Sequence, residues 1–194
     1  MLRDTMSDAP NTDKTFEDHN QELLDLVDSN DNVIGQIERA EVSTLEPNTG
    51  KFVRCIEAII MRSNGDVWVP VRSQTKRIAP GGYDYGVAGH VPSGETYERA
   101  VILEAQEEAG LVLEEDNAIL IEHQLPSESN GPYFSNFYLI RTDSAPALSD
   151  EHTSGSWMSL DALAEKLHSG MPAKPSLLSN VERLQEYLKK EEGQ

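Results

Sequence analysis

Residues 89–111, GHVPSGETYERAVILEAQEEAGL, decide the fold of this chain. A glycine-containing turn leads into a helix whose N-cap is Glu95 or Thr96 and whose C-terminal stop is Gly110. Helical periodicity places three acidic residues on one stripe that borders the apolar side, namely Glu104, Glu107 and Glu108. Because no basic residue relieves their repulsion, the stripe indicates a site for a hard divalent cation or, equally, an ordinary acidic helix face.

The spacing within residues 89–111 resembles the Nudix box, the loop-helix-loop signature of Mg²⁺-dependent pyrophosphohydrolases. The matching positions are Gly89, Glu95, Glu104, Glu107, Glu108, Gly110 and Leu111, with Ala105 as an acceptable apolar residue. The resemblance implies that Glu104, Glu107 and Glu108 are catalytic. It also implies that they bind Mg²⁺, or alternatively Mn²⁺, together with the carbonyl oxygen of Gly89.

Leu103 departs from the box, because the family has an Arg there that holds the catalytic carboxylates by charge-assisted hydrogen bonds. Three interpretations stay open. Arg99, one helical turn earlier, compensates; or the metal alone orients the acids; or activity is weak or lost. The last interpretation makes the chain a ligand-binding or regulatory domain that has kept the scaffold.

A basic loop at residues 72–85, RSQTKRIAPGGYDY, precedes the box and reverses the sign of an otherwise acidic chain. This reversal indicates an anion site, although an ordinary solvated loop is equally compatible with it. The predicted phosphate ligands are Arg72, Lys76 and Arg77. His90 is a further substrate-binding candidate, and the general base is Glu104 or, from a late loop, Glu151.

Composition limits the partners. The 194 residues include 16 basic and 34 acidic side chains, a formal net charge of −18, which argues against nucleic acid as a partner and leaves a small-molecule diphosphate as the expected substrate. The single cysteine, Cys55, excludes an intramolecular disulfide and predicts a reducing, cytoplasmic location. No apolar run approaches the roughly 18–20 residues of a membrane helix. A homodimer remains possible through an exposed strand or the last helix.

The sequence predicts a disordered acidic tail at residues 1–20, one domain at residues 21–190 and a frayed C-terminus at residues 191–194. Strand patterns occupy residues 52–61, 67–71, 118–123 and 134–141, and a late amphipathic helix occupies residues 175–190. Early strands, a central helix, more strands and late helices predict an α+β fold. The Nudix resemblance, which covers about residues 20–190, implies more specifically an α/β/α sandwich with a mixed β-sheet.

Residues 23–108 look most like the Nudix subgroup that also contains isopentenyl diphosphate isomerase. The similar stretches are LLDLVDSNDNVIG, RSQTKRIAPGGYD and VAGHVPSGE. The isomerase has its catalytic Cys directly before the Gly-His pair, where this chain has Ala88, and it uses metal-binding His residues that are missing between Thr44 and Met61. Lacking that thiol and those imidazoles, the chain is predicted to be a hydrolase rather than an isomerase.

Overall fold

The apolar runs form strands of two sheets in the computed structural model, which describes residues 21–45, 49–127 and 130–193. The small sheet pairs β1 (Leu23–Val27) with β2 (Val33–Glu38). The six-stranded sheet contains β3 (Val53–Met61), β4 (Asp66–Arg72), β5 (Val87–His90), β6 (Ala118–Gln124), β7 (Tyr133–Arg141) and β8 (His152–Ser159). The tail predicted at residues 1–20 lies outside the described residues.

β3 organises the large sheet, whose order is β6-β7-β3-β4-β8 with β5 paired to β3 off this path. β3 and β7 run parallel, whereas the other pairs are antiparallel, so the sheet is mixed. β4 meets β3 at Met61↔Val67, near the end of β3, and β5 pairs with its earlier part from Cys55↔His90 to Ala58↔Val87. β5, which leads into residues 89–111, is therefore fixed against β3.

Three α-helices cover the two faces of this sheet: α1 (Tyr97–Ala109), α2 (Leu160–His168) and α3 (Leu177–Glu192). Successive side chains of β3 face opposite sides of the sheet, as in any β-strand. Ile56, Ala58 and Ile60 pack with α1, whereas Ile59 and Met61 pack with α2 and α3. The predicted α/β/α sandwich with a mixed sheet is confirmed.

The ends of the helices show how local the sequence signals are. Thr96 is the N-cap of α1, since its hydroxyl accepts the Arg99 N–H at 3.2 Å, and Gly110 ends the helix with a φ of 62°. α3 runs through Glu192, two residues into the segment predicted to be frayed, with Glu191 accepting a bond of 2.6 Å from Arg141. No helix within the described ranges is long and apolar enough to span a membrane.

Candidate active site

The acidic stripe of α1 lies against β5. The Glu108 carboxylate accepts the Ala88 N–H at 2.9 Å. The Glu104 carboxyl group occupies the space beside Gly89, where a Cβ atom would lie 2.1 Å from Glu104 Oε1. Glu107 is exposed on the same helix, whereas Glu104 and Glu108 are partly buried. The fold therefore brings two of the three predicted carboxylates together at β5, which pairs with β3.

Glu108 is in an environment that disfavours its charged form. Burial and the nearby charge of Glu104 raise the pKa of Glu108 to about 8, despite the opposing effects of the Ala88 N–H and the positive charge of Lys174. Without added positive charge, the group therefore holds a proton at neutral pH. Two carboxyl groups that share one site in this way fit a divalent cation by the chemistry of their oxygen atoms.

Within the described part of the chain, no three His, Cys, Asp or Glu side chains are arranged to hold a metal ion. The fit to a cation rests instead on two observations. Carboxylate oxygen is the donor that Mg²⁺ and Mn²⁺ prefer, and the glycine at position 89 leaves room for Glu104 where any side chain would displace it. The larger ligand set, with Glu107 and the Gly89 carbonyl, stays a prediction.

The basic loop uses two of its three cations in ion pairs. Arg72 is buried, pairs with Asp84 and donates through Nε to the Ile78 carbonyl at 2.8 Å. Lys76 lies 2.7 Å from Glu151. Arg77 is exposed, and the ion pairs among described residues do not include it. In this structure Arg72 and Lys76 thus stabilise the loop, and their predicted contact with phosphate remains untested.

Asp84 is the centre of a buried charge cluster that the sequence did not reveal. The Asp84 carboxylate, 6% exposed, pairs with Arg72, lies 3.3 Å from His152 Nε2 and lies 3.7 Å from Lys174 Nζ. Burial alone would raise its pKa, but the His152 hydrogen bond and the charges of Lys174 and Arg72 hold the pKa of Asp84 well below its usual value. Asp84 is therefore ionised.

His90 points away from the acidic stripe, because successive side chains of β5 alternate between faces. Both of its ring nitrogens are buried and have no hydrogen-bond partner among the described residues. Burial is the main reason that the pKa of His90 falls to about 3, so the ring is neutral. The ring lies 5.8 Å from that of Tyr133. A neutral imidazole offers one donor and one acceptor to a ligand.

The remaining predicted site residues lie at the start of α1. Glu95 is partly buried in the turn, where its N–H donates to the Pro92 carbonyl at 3.0 Å. Arg99 is exposed and forms no ion pair with a described residue. Compensation by Arg99 for the apolar Leu103 is therefore not seen in this structure.

Comparison with known proteins identifies the family to which this chain belongs. The NUDIX domain model matches residues 51–180. An uncharacterised Nudix hydrolase of Nostoc sp. is 36% identical over 162 residues, 83% of this chain and 94% of that protein. The crystal structure of DR0079 from Deinococcus radiodurans has a TM-score of 0.70 at 32% identity, covering 84% of this chain and 98% of that one. Isopentenyl-diphosphate Delta-isomerase 1 of Photorhabdus laumondii is 25% identical over 149 residues, 74% of this chain and 83% of that protein. With its fold, its acidic helix and these matches, the chain belongs to the Nudix domain family.

Proposed function

We propose that this protein is a Nudix pyrophosphohydrolase that cleaves a small-molecule diphosphate linked to another group, by attack of water on phosphorus in the presence of Mg²⁺. The observation that carries the proposal is the position of Glu104 and Glu108, one helical turn apart, against the glycine and amide of β5. The net charge of −18 supports a small substrate over nucleic acid.

Glu104, Glu107, Glu108 and the Gly89 carbonyl would hold the cation. When bound, a divalent cation supplies positive charge for the phosphate oxygens and makes a nearby water more acidic. The Ala88 N–H fixes the Glu108 carboxylate, so this group keeps its orientation as substrate arrives. Gly89 leaves Glu104 the space to stay next to it. These two contacts thus preorganise the carboxyl groups of Glu104 and Glu108 without a rearrangement of the helix.

Glu104 is the better of the two candidates for the general base. Burial by itself would raise the pKa of Glu151, but the hydrogen bond and charge of Lys76 lower it below its usual value. A carboxylate with a lowered pKa that is already paired is a poor proton acceptor. Glu104 lies within the box itself, in the space beside Gly89.

The first experiment measures release of phosphate or pyrophosphate by the purified protein across a panel of diphosphate compounds, with Mg²⁺, with Mn²⁺ and with EDTA. We expect metal-dependent release from one class of compound. Glu107→Gln and Glu108→Gln should each lower kcat by about 100-fold or more, since each removes charge at the reacting centre. Glu98→Gln, an exposed glutamate in the first turn of the same helix, is the matched control and should retain activity.

Two other functions make different predictions. A domain that only binds its ligand would release nothing across the panel, yet would be stabilised thermally by a member of it. An isomerase would need a catalytic thiol at position 88 of β5, where this chain has alanine. The Nudix hydrolases among the relatives support the hydrolase over both. Full turnover in Glu108→Gln would contradict the assignment of this carboxylate.

A further inference from the structure

Lys174 lies in the segment between α2 and α3, and backbone contacts fix its position. The Tyr83 N–H donates to the Pro172 carbonyl at 2.8 Å, and the Lys174 N–H donates to the Tyr83 carbonyl at 3.0 Å. Gly82 makes this approach possible, because a Cβ atom there would lie 2.6 Å from the Pro172 oxygen. The segment is therefore attached to the end of the basic loop without help from the lysine side chain.

The N–H donors of the Lys174 ammonium group form no hydrogen bond within the described ranges. Its Nζ lies 3.7 Å from Asp84 Oδ1, too far for a hydrogen bond, and it makes no hydrogen bond to any other residue in the described ranges. Both Asp84 oxygens have other partners, since Arg72 and His152 contact one of them and the Tyr85 N–H donates to the other at 2.8 Å. The side chain is 26% exposed, so a ligand can reach it.

The surroundings of Lys174 keep it charged. Burial by itself would lower the pKa of Lys174, but the charges of Asp84, Glu108 and Glu57 together raise it above its usual value. Glu57 is satisfied by Ser176, which donates at 2.6 Å, and by Asn180, which donates at 2.8 Å. The acidic neighbours thus have hydrogen-bond partners of their own, whereas the cation beside them has three donors available.

We propose that Lys174 binds a phosphate oxygen of the diphosphate substrate, next to the carboxylates of α1. This inference rests on the proposed hydrolase function and names a residue for it that lies far from the box in sequence. An ammonium group with three open donors matches phosphate oxygens as a compact charge. The loop cations Arg72 and Lys76 are already engaged by Asp84 and Glu151, whereas Lys174, whose charge also interacts with Glu108, has donors available.

The test compares Lys174→Met and Lys174→Arg with Lys189→Met, a control on the exposed end of α3. Binding of inorganic pyrophosphate with Mg²⁺ is measured by titration calorimetry, and KM and kcat are measured on the substrate found in the panel. We expect Lys174→Met to weaken pyrophosphate binding and to raise KM by about tenfold or more. Lys174→Arg should recover part of both, and the control should match wild type.

Wild-type protein supplies a second measurement that needs no variant to fold. Acetylation of lysines by a small amine-reactive acetyl donor is followed by mass spectrometry with and without Mg²⁺-pyrophosphate, with Lys189 as internal reference. Protection of Lys174 alone supports the proposal. Equal labelling of Lys174 in both conditions, or equal pyrophosphate affinity in a folded Lys174→Met, overturns it, as does a lack of pyrophosphate binding by wild type. Pyrophosphate binding that depends on Lys174, with no hydrolysis across the panel, would refute the hydrolase and keep the phosphate site.

Discussion

Gly89→Ala isolates the geometry of the acidic site from its chemistry. The variant adds one methyl group and removes no carboxylate. The new Cβ would lie 2.1 Å from Oε1 and 2.2 Å from Cδ of Glu104, whereas ordinary contact begins at 3.4 Å. The carboxyl group must therefore move by at least about 1.3 Å, the difference between these distances. The colliding atoms end a flexible side chain, so the backbone of α1 can stay in place.

We expect this displacement to cost much activity and little stability. A shift of about 1 Å in a catalytic group lowers turnover by about 100-fold. Rotation of one surface-reaching side chain changes the free energy of unfolding by less than about 1 kcal/mol. Turnover of the panel substrate with Mg²⁺ gives the first quantity and urea unfolding gives the second. The affinity for Mn²⁺, followed by electron paramagnetic resonance, should fall together with turnover.

Gly35→Ala is the matched control, because a Cβ at that position on β2 meets nothing within 4 Å and the backbone there does not require glycine. It should leave turnover, Mn²⁺ affinity and unfolding unchanged. Wild-type turnover and Mn²⁺ affinity in Gly89→Ala would refute the reasoning, since Glu104 would then work equally well outside the space beside β5.

Two further variants test the cluster around the basic loop. Gly82→Ala should lower the free energy of unfolding by about 2–4 kcal/mol in urea, because its Cβ would collide with the Pro172 backbone and break the hydrogen bonds of Tyr83. Asp84→Asn should lower it by about 3–5 kcal/mol at pH 7, because buried Arg72 loses its counter-charge. The folded-state pKa of Asp84 is depressed, so the stabilisation that its charge provides is present above the unfolded pKa of 3.8 and is lost as the pH falls below that value. The difference in free energy of unfolding between wild type and Asp84→Asn, measured in urea, should therefore become smaller in acid.

The features predicted correctly from sequence are those that a short stretch determines. Thr96 and Gly110 end α1 because a hydroxyl at the N-cap and a left-handed residue at the C-cap are local requirements. The strand predicted at residues 52–61 likewise corresponds to β3. The family resemblance then supplied the α/β/α sandwich with its mixed sheet.

The basic loop shows which interactions a count of charges along the sequence leaves out. Its sequence presents Arg72 and Lys76 as candidate phosphate ligands. In the folded chain Asp84 pairs with Arg72, and Glu151, from a loop far along the chain, pairs with Lys76. A sequence window shows the sign of its own residues and not the charges that tertiary contacts place against them. Burial of an arginine is stable only with such a partner, so the pairing is a consequence of packing.

Lys174 carried no sequence signal, because its place depends on long-range backbone pairing with Tyr83 across a glycine. Its proposed role follows from the negative charges of the carboxylates and of the diphosphate substrate. Burial and the nearby charge of Glu104 leave a proton on Glu108 near neutral pH, and an incoming diphosphate adds further negative charge. One ammonium group cannot balance two carboxylates and a diphosphate, so substrate binding at this site requires additional positive charge. Dependence on a divalent cation is therefore expected from the electrostatics of the folded site as well as from the family resemblance.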